Sequence, residues 1–128
     1  MSTRILYVDD EPDLREIATF ALALDPALEV KACASGAEAL EVIGRWRPDL
    51  VVLDVVMEEM DGPATLARLR QTAAGEAVPV VFITARPPSD EAERLLALGA
   101  IGIIAKPFDP MTLAETVRAH LGSGRASA

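Results

Sequence analysis

The chain has 128 residues, 51% of them hydrophobic, and a formal net charge of −8. This length and hydrophobic fraction fit one domain with a single core. The acidic balance argues against nucleic acid and against an anionic membrane as partners, because both would need a basic patch on the protein.

The chain begins without the long apolar segment of a signal peptide. No apolar run in the sequence is long enough to span a bilayer. The single cysteine, Cys33, excludes an internal disulfide and is expected to be a small buried residue. We therefore expect a cytoplasmic protein.

The first unit of secondary structure is a strand followed by a helix. Residues 5–8 predict a short buried strand, and the acidic residues after it, with Pro12, favour the start of a helix. Apolar residues then recur at helical spacing and predict one buried face, until the Asp-Pro pair at 25–26 ends the helix. The residues of that face are Leu14, Ile17, Ala18, Ala21 and Leu22.

The second unit is predicted to lie at an edge of the sheet. Residues 28–32 form a weaker strand pattern, in which the charged Glu29 and Lys31 are typical of an edge strand. Ser35 and Glu38 have the spacing of a capping box, which predicts that the second helix begins there.

The third strand is predicted to end directly at a carboxylate. Residues 50–53 form a continuous apolar run that does not alternate, which predicts a strand buried on both faces. The run ends at Asp54, whose charge is costly at the end of a buried strand unless other groups satisfy it. The loop 55–62 follows, and Pro63 is placed for the start of the third helix.

Two further units complete the pattern, and each has an apolar strand that closes at a polar residue. Residues 79–83 end at Thr84, and residues 101–105 end at Lys106. Cap signals predict the helices that follow, with Ser89 or Asp90 for the fourth helix and Asp109, then Pro110 at the first helical position, for the fifth.

Five βα units in succession predict an α/β domain with a parallel sheet and helices on both faces. No glycine-rich dinucleotide fingerprint is present, so the pattern favours a flavodoxin-like, doubly wound (βα)5 fold with strand order 2-1-3-4-5. We expect the domain to span residues 1–121. Residues 122–128 are small and polar, and are expected to form a flexible C-terminal tail.

This strand order brings five polar residues to one edge of the sheet. Ligands bind beyond the carboxyl ends of the strands where the order reverses, which here is between the first and third strands. Asp9 and Asp10 follow the first strand and Asp54 ends the third, while Thr84 and Lys106 end at the same edge. Three close carboxylates repel one another, and a lysine and a hard divalent ion, Mg²⁺ first, would relieve the repulsion. These groups suit phosphoryl transfer, with Asp54 attacking in line to become an acyl phosphate.

Four pieces of sequence occupy these strand ends in order: Ile5-Leu6-Tyr7-Val8-Asp9-Asp10-Glu11, Leu53-Asp54 with Met60-Asp61-Gly62 downstream, Ile83-Thr84-Ala85, and Lys106-Pro107-Phe108. Together they resemble the receiver domain of a two-component response regulator, similar to the single-domain chemotaxis type. The resemblance extends from about residue 3 to residue 121.

The resemblance implies a metal site and a phosphoacceptor. Asp54 would accept the phosphoryl group, Asp10 would bind Mg²⁺ directly, and Asp9 would help to hold the ion, often through water. The backbone carbonyl of Val56 would complete the protein ligands. Mn²⁺ is the alternative ion.

The resemblance also implies how the phosphoryl group is held and passed on. Lys106 would pair with it, Thr84 would move to bond it, Ala85 would leave room for the donor, and the Lys106-Pro107 bond is expected to be cis. The donor would be a histidine kinase or a histidine phosphotransfer domain. Output would pass to a partner protein through the fourth helix, fifth strand and fifth helix, from a monomer or a phosphorylation-dependent dimer. The chain would be a signalling phosphoacceptor that hydrolyses its own acyl phosphate, and otherwise no enzyme.

Two departures from the family pattern keep an alternative open. Ile103 stands where the family commonly has an aromatic residue, and Glu58 and Glu59 stand where it usually has Pro-Gly. The alternative is a receiver-fold interaction module that works independently of phosphorylation. Two other functions are disfavoured. An aspartyl-phosphate phosphatase would need an acid where Val56 stands, and an FMN-binding protein would need a hydroxyl- and glycine-rich loop after the first strand, where this chain is acidic.

Overall fold

The structure, a computed structural model, describes residues 2–85 and 87–126. Strands and helices alternate along the described residues, and the five strands form one parallel sheet in the order β2-β1-β3-β4-β5. The predicted flavodoxin-like fold is therefore confirmed, with β2 at an edge. The elements are β1 (Thr3–Val8), α1 (Pro12–Ala23), β2 (Leu28–Cys33), α2 (Gly36–Ile43), β3 (Leu50–Asp54), α3 (Gly62–Leu69), β4 (Val80–Ala85), α4 (Ser89–Ala97), β5 (Gly102–Lys106) and α5 (Leu113–Ala126).

The sheet divides the core into two apolar layers. Successive side chains of a strand point to opposite faces, so β1 sends Leu6 and Val8 to one layer and Ile5 and Tyr7 to the other. Every residue of β3 is buried, as the unbroken apolar run predicts. Truncating a core side chain such as Leu53 to alanine would cost about 2–5 kcal/mol of stability. The central strands that carry the site are thus held on both faces.

Side-chain caps begin two helices next to the carboxyl edge of the sheet. The Ser35 hydroxyl accepts a hydrogen bond from the Glu38 N–H at 3.1 Å. The Glu38 carboxylate accepts in turn from the Ala34 N–H, at 2.9 Å. At α3, the Asp61 carboxylate accepts from the Ala64 N–H at 2.9 Å. These caps satisfy backbone donors that the first helical turn leaves without partners.

The predicted side-chain cap of α4 and the predicted start of α5 are wrong. Helix α4 begins at Ser89 after Pro88, and no side chain in the described part of the chain caps it. Helix α5 begins at Leu113 instead of Pro110, because the Asp109 carboxylate accepts from the Met111 N–H at 2.9 Å and forms a separate turn first.

Helix α5 also continues beyond Leu121 to Ala126, through most of the segment predicted to be a tail. Residues 127–128 lie outside the described residues, and the division of the chain at residue 121 stays a prediction. Within residues 2–85 and 87–126, none of the helices combines the length and apolar character needed to cross a bilayer.

The apolar face predicted for α1 is wider than the face that the helix buries. Ala18, Ala21 and Leu22 are buried, whereas Leu14 is half-buried and Ile17 is 43% exposed. The helix packs against β1, β2 and α5. Part of the apolar surface of α1 therefore faces solvent, beside the carboxyl edge of the sheet.

Candidate functional site

The register of the parallel strands sets the predicted site residues side by side. Val8 of β1 pairs with Leu53 of β3, so the next residues, Asp9 and Asp54, lie at the same height of the sheet. Asp54 in turn pairs with Ile83 of β4. The site thus forms where the strand order reverses, between β1 and β3.

Three carboxylates meet at this edge. Asp9, Asp10 and Asp54 each offer a carboxylate oxygen, and these oxygens all lie within 4.8 Å of one another. Asp9 is fully buried, Asp54 is 4% exposed and Asp10 is half-buried. A cluster of carboxylate oxygens at a partly open edge has the ligand chemistry that Mg²⁺ and Mn²⁺ prefer.

Lys106 lies between two of the carboxylates. Its Nζ is 3.1 Å from Asp9 Oδ2 and 3.1 Å from Asp54 Oδ2. Burial by itself lowers the pKa of Lys106, but the hydrogen bonds and charges of Asp54 and Asp9 outweigh it, and the pKa is raised. The ammonium therefore stays charged and is shared between two acids.

The ionised form of Asp54 is less stable than that of an ordinary paired carboxylate. Burial, with the charge of Asp9 added, raises the pKa of Asp54 to about 6, although Lys106 acts in the opposite direction. The Val56 N–H donates to Asp54 Oδ1 at a long 3.3 Å. At neutral pH most of the carboxylate is ionised, and the ionised form would gain from a further positive charge nearby.

Asp9 and Asp10 each accept hydrogen bonds that fix their side chains. Asp9 Oδ2 accepts from the Tyr7 hydroxyl at 2.9 Å, and Asp9 Oδ1 accepts from the Glu11 N–H at 3.0 Å. Asp10 Oδ2 accepts from the Glu58 N–H at 3.0 Å, which ties the β3–α3 loop to the site.

Sequence reasoning missed Tyr7. A signal was present, because residues two apart in a strand share a face and a buried tyrosine hydroxyl usually needs a partner. Tyr7 stands two residues before Asp9 in the most buried part of β1.

Thr84 and Val56 occupy different environments. Thr84 is buried and follows Ile83, the register partner of Asp54. The Val56 side chain is 74% exposed, in the loop directly after β3.

The loop after β3 passes close to Asp54 again at Gly62, which donates its N–H to the Val55 carbonyl at 2.9 Å. A Cβ on Gly62 would lie 2.5 Å from the Asp54 carbonyl oxygen, so the close return needs glycine.

The same loop contains a non-glycine residue in the left-handed region. Glu59 has φ +65°, a backbone conformation that glycine adopts at little cost. The peptide bond between Lys106 and Pro107 is cis, as expected.

Comparison with known proteins places this arrangement in one family. The model of the response regulator receiver domain matches residues 5–118. Response regulator Rre1 of Synechocystis is 35% identical over 123 residues, 96% of this chain and 53% of that protein. A Vibrio cholerae protein named a probable cyclic di-GMP phosphodiesterase is 34% identical over 122 residues, 95% of this chain and 27% of that protein. The chain thus spans about a quarter to a half of the length of these two relatives.

A solved structure matches over almost its entire length. Chemotaxis protein CheY4 of Vibrio cholerae has a TM-score of 0.84 and 29% sequence identity, covering 93% of this chain and 98% of that one. The sequence relatives and this structural neighbour therefore point to the same kind of domain.

Proposed function

Because this chain belongs to the response regulator receiver domain family, we propose that it accepts a phosphoryl group on Asp54 and signals through contacts with other proteins. Phosphorylation-switched signalling in two-component systems is the general function of this family, and such domains interact with histidine kinases or phosphotransfer proteins. The observation that carries the proposal is the buried Asp54 carboxylate, which shares Lys106 with Asp9.

The reaction follows from what surrounds Asp54. One carboxylate oxygen attacks the phosphorus of a phosphohistidine, the new O–P bond forms as the N–P bond breaks, and the imidazole keeps the electron pair. Lys106 stands 3.1 Å from Asp54 Oδ2, where its ammonium can pair with the incoming phosphoryl oxygens. Thr84, at the end of the neighbouring strand, is the hydroxyl that moves to bond the phosphoryl group.

Asp9, Asp10, Asp54 and the backbone carbonyl of Val56 are the proposed protein ligands of Mg²⁺, or of Mn²⁺ in its place. When bound, the ion supplies positive charge that neutralises phosphoryl oxygens. The clustering of three carboxylate oxygens supports this assignment. Asp10, the most exposed of the three carboxylates, would bind the ion directly, and Asp9 would help to hold it, often through water.

The acyl phosphate on Asp54 is lost by hydrolysis, in which water attacks phosphorus and the carboxylate leaves. This self-directed reaction is the extent of the proposed catalysis. The chain works as a cytoplasmic signalling phosphoacceptor and not as an enzyme with a separate substrate.

The protein that donates the phosphoryl group must cover the site, and we expect it to bind to an apolar groove beside Lys106. The groove has a volume of about 440 Å³, and Lys106 forms part of its lining. A phosphohistidine domain that buries this surface would bring its imidazole toward Asp54. The other residues that line the groove are Leu14, Ile17, Ala85, Pro107, Phe108 and Pro110.

Output is proposed to pass through the face formed by α4, β5 and α5. Leu96 and Leu98 are exposed on α4 and at its C-terminal end, and offer apolar contacts to a partner. Ile103 on β5 is half-buried and packs against the core. An aliphatic side chain at this position has no ring to turn inward, so the movement of Thr84 carries more of the signal.

The test is intact-mass measurement after incubation with Mg²⁺ and a small phosphoryl donor. Wild type should gain one phosphoryl group, and Asp54→Asn should gain none. Asp49→Asn is the matched control, because it removes a carboxylate just before the same strand while its side-chain oxygen can still accept from the Arg4 N–H. An unmodified wild type, with small donors and with histidine kinases alike, would favour the phosphorylation-independent interaction module.

A further inference from the structure

Tyr7 is the only tyrosine of the chain, and it lies inside the sheet beneath the carboxylates. It is fully buried on β1, and its hydroxyl donates to Asp9 Oδ2 at 2.9 Å. Burial, and then the neighbouring Asp9 carboxylate, raise the pKa of the Tyr7 phenol, so the hydroxyl keeps its proton. A buried phenol that donates to a carboxylate makes a charge-assisted hydrogen bond.

The hydrogen bonds of Asp9 leave it little freedom. Its Oδ2 receives both the Tyr7 hydroxyl and Lys106 Nζ, and its Oδ1 receives the Glu11 N–H. An ionised carboxylate has about four acceptor positions, so three donors fix both of its oxygens. Asp54 shares the same lysine, but Tyr7 donates to Asp9 and not to Asp54.

We propose that Tyr7 is a positioning residue of this site, whose hydroxyl holds Asp9 in place for Mg²⁺ and frees Lys106 to pair with the phosphoryl group. The inference rests on the proposed function, because it assumes that the carboxylates hold the ion. Without the hydroxyl, Lys106 is the only side chain among the described residues that holds Asp9 Oδ2, and a lysine drawn toward the phosphoryl group leaves that oxygen unsupported.

Removing a hydrogen bond behind a metal ligand typically weakens metal binding by 10- to 100-fold. Tyr7→Phe deletes only the hydroxyl and keeps the ring in the core, so we expect Mg²⁺ to bind about tenfold more weakly, at the lower end of that range. Calorimetric titration of the full chain with Mg²⁺ alone measures this without any phosphoryl donor.

Thr72→Val is the matched control. Thr72 lies in the connection after α3, at the opposite edge of the sheet, where its hydroxyl donates to the Leu69 carbonyl and accepts from the Gly75 N–H. It should lower the thermal stability and leave the Mg²⁺ affinity unchanged. Equal Mg²⁺ affinity in wild type and Tyr7→Phe would overturn the inference, and so would equal weakening in Tyr7→Phe and Thr72→Val.

A second measurement keeps Tyr7 in place and therefore does not depend on the folding of Tyr7→Phe. In a Trp46→Phe background, Tyr7 is the main near-ultraviolet chromophore, because the chain has one tryptophan and one tyrosine. Mg²⁺ should shift its absorbance with the same midpoint that calorimetry gives. Heat of binding with no change at Tyr7 would contradict the inference, whereas a wild type that binds no Mg²⁺ would overturn the proposed function and this inference with it.

Discussion

Asp25 and Asp54 each pair with a cation, yet their pKa values move in opposite directions. Asp25, after α1, accepts a hydrogen bond from Arg118 of α5, and that bond, followed by one from the Ala27 N–H, lowers the pKa of Asp25. Asp54, at the end of β3, contacts Lys106, but burial raises the pKa of Asp54 to about 6.

The difference lies in the surroundings of each pair. Arg118 is 45% exposed, so water solvates the first pair, and among the described residues the arginine forms an ion pair with one acid, Asp25. Lys106 is largely buried and serves two acids, so its one positive charge faces the two negative charges of Asp9 and Asp54. The buried group therefore keeps an excess negative charge, which costs stability and favours the binding of another cation.

Asp54→Asn should give the largest gain in stability. Because the folded-state pKa of Asp54 is about 6 and the unfolded value is near 4, the folded protein holds this proton more tightly. Stability therefore falls as the pH rises from about 4 to about 6. An uncharged asparagine escapes this loss and should raise the free energy of unfolding by up to about 3 kcal/mol at neutral pH without Mg²⁺. Urea unfolding measures the gain.

The pH dependence is the check on this explanation. Protonated Asp54 and asparagine carry the same charge, so the advantage of Asp54→Asn should disappear near pH 4. The advantage should also shrink when Mg²⁺ is added, because the ion stabilises only wild type substantially. A gain that is equal at pH 4 and pH 7 would mean that the charge of Asp54 is not its source.

Lys106→Met should have the opposite effect and a somewhat smaller size. It leaves Asp9 and Asp54 together without their shared cation. Removing one partner of a fully buried ion pair costs 3–5 kcal/mol, but here a carboxylate can take up a proton and Lys106 is partly exposed, so we expect about 2 kcal/mol. Thermal unfolding without Mg²⁺ measures the loss. The double variant with Asp54→Asn should recover part of it, and the absence of recovery would argue against a shared charge.

Glu59, unlike Asp54, is an acid that lowers the stability of the fold through its backbone conformation and not through its charge. Its φ of +65° disfavours any residue with a Cβ, so Glu59→Gly should raise the free energy of unfolding by about 1 kcal/mol. Glu59→Ala removes the same charge but keeps the Cβ, and should not give this gain. Denaturant titration of the two variants separates the causes, and equal gains would assign the effect to charge.

The sequence allows much of the site to be predicted because strand ends are easy to locate. Unbroken apolar runs identify the buried strands, and the repeated βα pattern limits the strand order to few choices. Asp9, Asp54 and Lys106 then fall at one edge of the sheet without any knowledge of side-chain contacts. The structure adds that a single lysine is shared between the two acids.

The features that could not be predicted depend on competition between local bonds. Asp109 could cap a helix directly or form a turn first, and its residue type does not distinguish the two; in the structure the turn comes first and the helix begins at Leu113. The φ angle of Glu59 is set by the surrounding structure, and residue type alone does not reveal it.

Asp25→Asn should have the smallest effect. Arg118 lowers the pKa of Asp25, so the pair contributes stability above the ordinary aspartate pKa and loses it as the pH falls through the lowered value. Exposed pairs are screened by salt, and an asparagine can still accept a hydrogen bond from the Ala27 N–H. We expect no resolvable change in Tm at physiological ionic strength and a small decrease at low salt. A large decrease that salt does not reduce would show that the pair of Asp25 with Arg118 stabilises the protein far more than an exposed ion pair should.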